Sequence, residues 1–249
     1  MKQALILGCS HAAGSDMTQE PNLDLQGYEE KYYGYHMSYP AQLARLLGYD
    51  TVLNHAIPGG SNDAMFRIFE TYINPYKYLP RPDVVIACWT GPERTEICDS
   101  GEWVGLAGGK TLFSKTIRDD IVREGMPIGE SLVNCDDLFE YQRQWITYQA
   151  DSWWGRLNKL KNMLALNATA AQHNIPVINI DSFGTVQEHQ FPDTVYRPLE
   201  KIEFCNWAVE HGFDKTESGH YFTQAHKTFA DFIYKKLDPK YHANSAPVV

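Results

Sequence analysis

Short, unbroken apolar runs alternate along this chain with longer stretches of helical spacing. The runs are Ala4-Leu5-Ile6-Leu7, Thr51-Val52-Leu53-Asn54, Val84-Val85-Ile86-Ala87-Cys88-Trp89 and Pro176-Val177-Ile178-Asn179-Ile180-Asp181. Continuous rather than alternating apolarity marks a strand covered on both faces, as in a parallel sheet. Between the runs, the spacing predicts a helix from about His36 to Leu47, with Pro40 tolerated in its first turn and Gly48 stopping it. A second helix, Asp63 to Ile73, would carry Met65, Ile68, Phe69 and Ile73 on one face. The longest, Trp153 to His173, would carry Leu157, Leu160, Leu164 and Ala168. A short helix near Cys205 to Val209 and a last one from Thr223 to Leu237 complete the set.

Three stretches lack either period. Ser15 to Gly34 is polar and reads as a long loop; Thr90 to about Ala150 reads as a partly helical insertion covering the site; Asp238 to Val249 reads as a frayed tail. Strand and helix in this rhythm predict a parallel sheet with helices on both faces, a three-layer α/β/α arrangement. Nothing marks a linker, so one domain over residues 1–249 is expected.

Composition narrows the class. The hydrophobic share is 43% and the aromatic share 13%, enough for a sizeable core. A net charge of −9 argues against nucleic acid or an anionic membrane surface as partner. No apolar run approaches the ~18 residues that would span a bilayer. The N-terminus enters a strand at once without a small-residue cleavage site, so a cytoplasmic location is expected. The five cysteines are scattered without C-x-x-C spacing, which suits free thiols and neither a disulfide framework nor structural zinc.

The candidate chemistry lies at the two ends. Ser10 follows the first strand, at the carboxyl side where open α/β sheets bind ligands. A serine needs a base within hydrogen-bond reach, itself oriented by a third group. The segment Asp214-Lys215-Thr216-Glu217-Ser218-Gly219-His220 offers Glu217 three residues before His220, with Asp214 as the alternative acid. His226, six residues beyond His220, reads as structural, as do Asn54 and Asp181 at strand ends. The spacing Gly8 to Gly14 does not make the G-x-G-x-x-G of a dinucleotide binder.

In this arrangement the chain resembles the SGNH (GDSL-type) hydrolases. Their first block, Gly-Asp-Ser with a glycine four residues after the serine, is matched by Gly8-Cys9-Ser10-His11-Ala12-Ala13-Gly14. Their second, a strand-end Asn with a glycine five residues on, is matched by Asn54 and Gly59; their last, an acid three before the histidine, by Glu217 and His220. The resemblance implies a flavodoxin-like SGNH fold, Ser10 as nucleophile, His220 as general base and Glu217 as its orienting acid. It also implies an oxyanion hole from the backbone N–H groups of Ser10 and Gly59. The third block departs from the family, because Trp89-Thr90-Gly91-Pro92-Glu93-Arg94 places Pro92 where the family has its oxyanion Asn. Thr90, Arg94 and Asn62 are the candidate replacements.

The expected activity is that of a serine esterase or deacetylase acting on a short acyl ester, acetyl esters and carbohydrate esters included, with no metal and no organic cofactor. The competing expectation is an SGNH-fold binding or structural module with vestigial or no hydrolase activity. The altered third block resembles phage-encoded members, in which such a domain would assemble into a virion.

Overall fold

Every second residue of the inner strands faces the same layer of helices, and this alternation builds the molecule. The computed structural model describes residues 1–21, 23–74, 79–92, 94–99, 102–106, 152–182, 195–199 and 202–243. Its strands are β1 (Gln3–Leu7), β2 (Thr51–Asn54), β3 (Val84–Trp89), β4 (Thr95–Asp99), β5 (Glu102–Leu106) and β6 (Val177–Asp181). Four of them form an all-parallel sheet in the order β2-β1-β3-β6, and β4 pairs antiparallel with β5. The helices are α1 (Ser10–Ala13), α2 (Tyr28–Met37), α3 (Tyr39–Leu46), α4 (Asn62–Ile73), α5 (Ser152–Gln172), α6 (Phe204–Glu210) and α7 (Thr223–Tyr234).

Ala4, Ile6, Val84, Ile86, Cys88, Ile178 and Ile180 face a core shared with α1, α3, α6 and α7. Leu5, Leu7, Val85, Ala87, Trp89 and Val177 face the opposite core, under α4 and α5. Ala4 through Leu7 and Val84 through Trp89 are fully buried. At roughly 1.5–3 kcal/mol for each large apolar side chain removed from water, these two faces dominate the stability of the sheet. The protein is therefore a three-layer α/β domain with a mainly parallel sheet.

The expected strands all form, within a residue of their expected ends. The expected loop from Ser15 to Gly34 is only partly a loop. α2 starts inside it at Tyr28, and a break at Ser38 (φ −60°, ψ 151°) separates α2 from α3. Tyr-Glu-Glu-Lys-Tyr-Tyr-Gly-Tyr-His-Met spreads polar and aromatic groups around the helix, so it shows no apolar stripe to read. The tail also differs from expectation up to Ala243. Tyr241 is buried and the Ala243 N–H bonds to the Leu47 carbonyl, so packing holds a segment whose composition is polar. Of the expected insertion at 90–150, the described part beyond the strand end is the β4–β5 hairpin, and the remainder lies outside the described residues. No described helix is long and apolar enough to cross a membrane.

Candidate active site

The strand order reverses between β1 and β3: the chain passes from β1 to β2 on one side, then returns to β3 on the other. Ligands of open parallel sheets bind in the crevice at such a switch point. Ser10 leaves the carboxyl end of β1 there and Thr90 leaves that of β3. Ser10 opens α1, a single turn closed by Gly14 in the left-handed region (φ 71°). In the first turn of a helix a backbone N–H has no carbonyl to meet, so the Ser10 amide is left to a ligand or water. The Ser10 side chain makes no hydrogen bond to any described residue.

His220 arrives on a tight hairpin. Lys215 bridges Tyr221, the Thr216 N–H donates to the His220 carbonyl (2.7 Å), and Gly219 turns the chain. His220 Nδ1 lies 2.7 Å from Asp16 Oδ2. The Ser218 hydroxyl donates to the same carboxylate oxygen and sits 3.2 Å from His220 Nδ1 and 2.7 Å from Thr216 Oγ1. Asp16 adopts φ 61°, one of two non-glycine residues with positive φ among those described. Aspartate tolerates that conformation better than most residues, and strain of this kind gathers at functional sites.

Glu217, the expected acid, does not meet His220; it is exposed, as is Asp214. The physical reason is the hairpin. Glu217 and Ser218 are the central residues of a turn closed by the Gly219 N–H on the Thr216 carbonyl (3.0 Å); Thr216, Ser218 and His220 converge inside it while Glu217 is left exposed at its corner. Asp16 went unread because its approach to His220 is tertiary. The one local signal is an aspartate in a turn just after a glycine-closed helix.

Three titratable groups near this pair are held in their uncharged forms by burial. His11 is buried, with Nε2 3.2 Å from Cys205 Sγ and its ring 5.0 Å from that of His220. Burial, then the charge of His220, lowers its pKa well below the usual histidine value. Burial also pushes the Cys205 thiol up to about 12, so it is a poor nucleophile. His226 is buried, and its Nδ1 accepts the N–H of Tyr39 (3.0 Å), an amide that opens α3. Burial pulls this imidazole down to about 3, and its place is that of a helix cap.

Gly59 takes φ 74° and its N–H makes no hydrogen bond among the described residues. A Cβ there would touch nothing within 4 Å, so the backbone conformation and not space calls for glycine. Its loop runs along the Ser10 turn, with the Ile57 N–H bonded to the Gly8 carbonyl (3.0 Å). Asn62 is committed elsewhere: Oδ1 accepts from the Thr90 N–H (3.0 Å) and Nδ2 donates to the carbonyls of Thr90 (3.4 Å) and Gly91 (3.3 Å). The Thr90 hydroxyl is buried and has no partner among the described residues. Arg94 stands close enough for its charge to act on His11 and Cys205.

No family model matches the sequence, and no curated protein does. Among solved structures the chain is similar to TesA (12% identity, TM-score 0.46, 96% of this chain against 99% of that one). It is similar also to the psychrotrophic esterase EstA of a Pseudoalteromonas species (12%, 0.44, 95% against 96%). A third is the acetyl xylan esterase Est2A of the rumen bacterium Butyrivibrio proteoclasticus (12%, 0.45, 94% against 62%).

The two strand-end residues read as structural have structural bonds. The Asn54 amide donates to the carbonyls of Ala12 and Tyr35 and to Ser38 Oγ, stitching β2 to α1 and to the α2–α3 break. Asp181 pairs with Lys159 and Arg197 at the end of β6, all three buried. His211 bonds through Nδ1 to the Trp207 carbonyl and stacks on Trp207. No group of three or more His, Cys, Asp or Glu side chains among the described residues could hold a metal ion.

Proposed function

We propose that the protein hydrolyses carboxylic esters through an acyl-Ser10 intermediate. Ser10 Oγ attacks the ester carbonyl carbon while His220 Nε2 takes its proton. The carbonyl oxygen becomes an oxyanion, met by the N–H groups of Ser10 and Gly59. On collapse, the bond to the alcohol oxygen breaks and His220 returns the proton to the leaving alcohol. Water then repeats the sequence on the acyl-enzyme and frees the acid. Asp16 holds the Nδ1 tautomer and stabilises the imidazolium as it forms. The observation that carries this reading is the Asp16–His220 contact, which directs Nε2 away from the carboxylate, in a molecule with a serine at the strand-order switch point. The substrate class is a short acyl ester, acetylated carbohydrates included. Oxyanion donors act where charge develops, and one is worth on the order of 100- to 1,000-fold in rate. The Thr90 hydroxyl and Arg94 are the candidates for a third donor.

A second reading has its own support. The amide of Asn62 is taken up by the backbone of Thr90 and Gly91, and Pro92 donates nothing, so neither of these two residues offers an amide to an oxyanion. A binding or structural module, carried on a virion or another particle, would retain the fold without the chemistry. Hydrolysis of p-nitrophenyl acetate by the wild type and by Ser10→Ala separates the two. Turnover lost in the mutant, with a fluorophosphonate adduct on Ser10, supports the esterase. Absence of both turnover and adduct supports the module.

A further inference from the structure

β2 is an edge strand, and a groove of about 490 Å³ lies against it. One wall is the outer stripe of α2, with Lys31, Tyr32, Tyr35 and His36; the other is β2 and the start of the Gly59 loop, Val52 through Ile57. The volume falls within the roughly 300–1,000 Å³ typical of small-molecule sites and far exceeds what an acetyl group fills.

Two contacts tie the groove to the nucleophile. At its end, the Ile57 N–H bonds to the Gly8 carbonyl, two residues before Ser10, and the Gly60 N–H closes a turn onto Ile57 (2.7 Å). On the other wall, α2 is pressed against the turn that ends α1. A Cβ on Gly34 would lie 2.1 Å from the Gly14 carbonyl oxygen, so glycine is required for this approach. The groove is therefore held in fixed register with Ser10 and Gly59.

Its lining has a definite chemistry. Tyr32 and Tyr35 present half-buried rings 6.4 Å apart, and Lys31 Nζ sits 5.3 Å above the Tyr32 ring. His55 bonds through Nε2 to the Tyr72 hydroxyl (2.7 Å), and burial lowers its pKa. The Asn54 amide is spent on backbone and Ser38, so it shapes the floor and does not bind. Among the described residues no lining residue is acidic, although the chain carries nine more acidic than basic side chains. Aromatic walls favour a flat ring, and a lysine with no carboxylate beside it in the lining favours an anion on that ring.

We infer that this groove seats the part of the substrate away from the reacting carbonyl, and that this part is an aromatic ring bearing a carboxylate. The inference rests on the esterase reading for the position of the ester carbonyl, and on the groove alone for the ring and its charge.

Two measurements test it. The first is calorimetric binding of 4-acetamidobenzoate, which keeps the shape of an acetate ester but resists hydrolysis, against uncharged acetanilide. Wild type should bind the carboxylate compound at least ten-fold more tightly than acetanilide, and Lys31→Glu should remove that preference. Lys31 is exposed, so this variant keeps the fold. The second is kcat/KM for 4-acetoxybenzoate and phenyl acetate. Lys31→Glu should lower the first about ten-fold more than the second, and Tyr32→Ala should lower both relative to ethyl acetate. Equal binding of the two amides, or of the carboxylate compound by wild type and Lys31→Glu, overturns the groove assignment. Hydrolysis without any Lys31 dependence does the same while leaving the esterase in place. Binding that depends on Lys31, with no hydrolysis of any ester, keeps the groove and overturns the esterase.

Discussion

His220 Nδ1 and Asp16 Oδ2 lie 2.7 Å apart although 204 residues separate them in the chain. The acid beside the histidine thus comes from the segment that follows the Ser10 turn, while the acid three residues before the histidine faces water. Asparagine at position 16 tolerates the left-handed backbone as aspartate does but leaves no carboxylate to hold the Nδ1 proton. Asp16→Asn is expected to lower kcat on the order of 10,000-fold with little change in KM or Tm. Glu217→Gln should stay within about two-fold. Kinetics of the two variants side by side decide between the acids, and the reverse ranking would restore Glu217.

Ser218 supports that carboxylate. Its hydroxyl donates to Asp16 Oδ2 and rests against Thr216 Oγ1, whose own oxygen accepts the His220 N–H (3.2 Å). The cluster is partly exposed, so each bond is worth only about 1 kcal/mol. Ser218→Ala should cost about five-fold in kcat, and Ser218→Thr should restore most of it by replacing the hydroxyl. A loss that Thr does not restore would point to packing rather than to the hydrogen bond.

The strands and both cores were legible because unbroken apolar runs such as Ala4 to Leu7 leave little choice but burial on two faces. Ser10, His220 and Gly59 could be put forward as site candidates from the sequence because the blocks that carry them keep their order along the chain. α2 was hidden by its lack of an apolar stripe. Asp16 was hidden because nothing local ties an acid at position 16 to a histidine at 220. Glu217 was expected beside His220 on its spacing of three, but the turn closed by the Gly219 N–H on the Thr216 carbonyl leaves its side chain exposed. Asn62 could be proposed as a donor only while its partners at the end of β3 were out of sight.

Asn62 gives a prediction that separates structure from chemistry. Its side chain is buried and holds the Thr90 N–H and two carbonyls at the switch point. Asn62→Ala would orphan a buried amide, a cost of about 1–3 kcal/mol. The expected outcome is a fall in unfolding free energy of that size in urea titrations. A true oxyanion donor would behave oppositely, losing kcat by 100-fold or more at unchanged stability.

The buried imidazole of His226 makes the fold sensitive to acid. In the native protein burial brings its pKa to about 3, against about 6.5 for an exposed histidine. Between these values the unfolded chain binds the proton and the folded one refuses it, so stability rises with pH across this window. Its contribution is complete above about pH 6.5 and is lost progressively toward pH 3. By pH 5 the loss from this one group would be about 2 kcal/mol. His11, buried beside it and depressed in the same direction, adds to the slope. Glutamine at 226 can accept the Tyr39 N–H without titrating. Urea unfolding of wild type and His226→Gln at pH 7 and pH 5 should show the wild type losing about 2 kcal/mol more than the variant between the two. Parallel losses would mean that the acid sensitivity arises from other groups and that His226 does not enter the core uncharged.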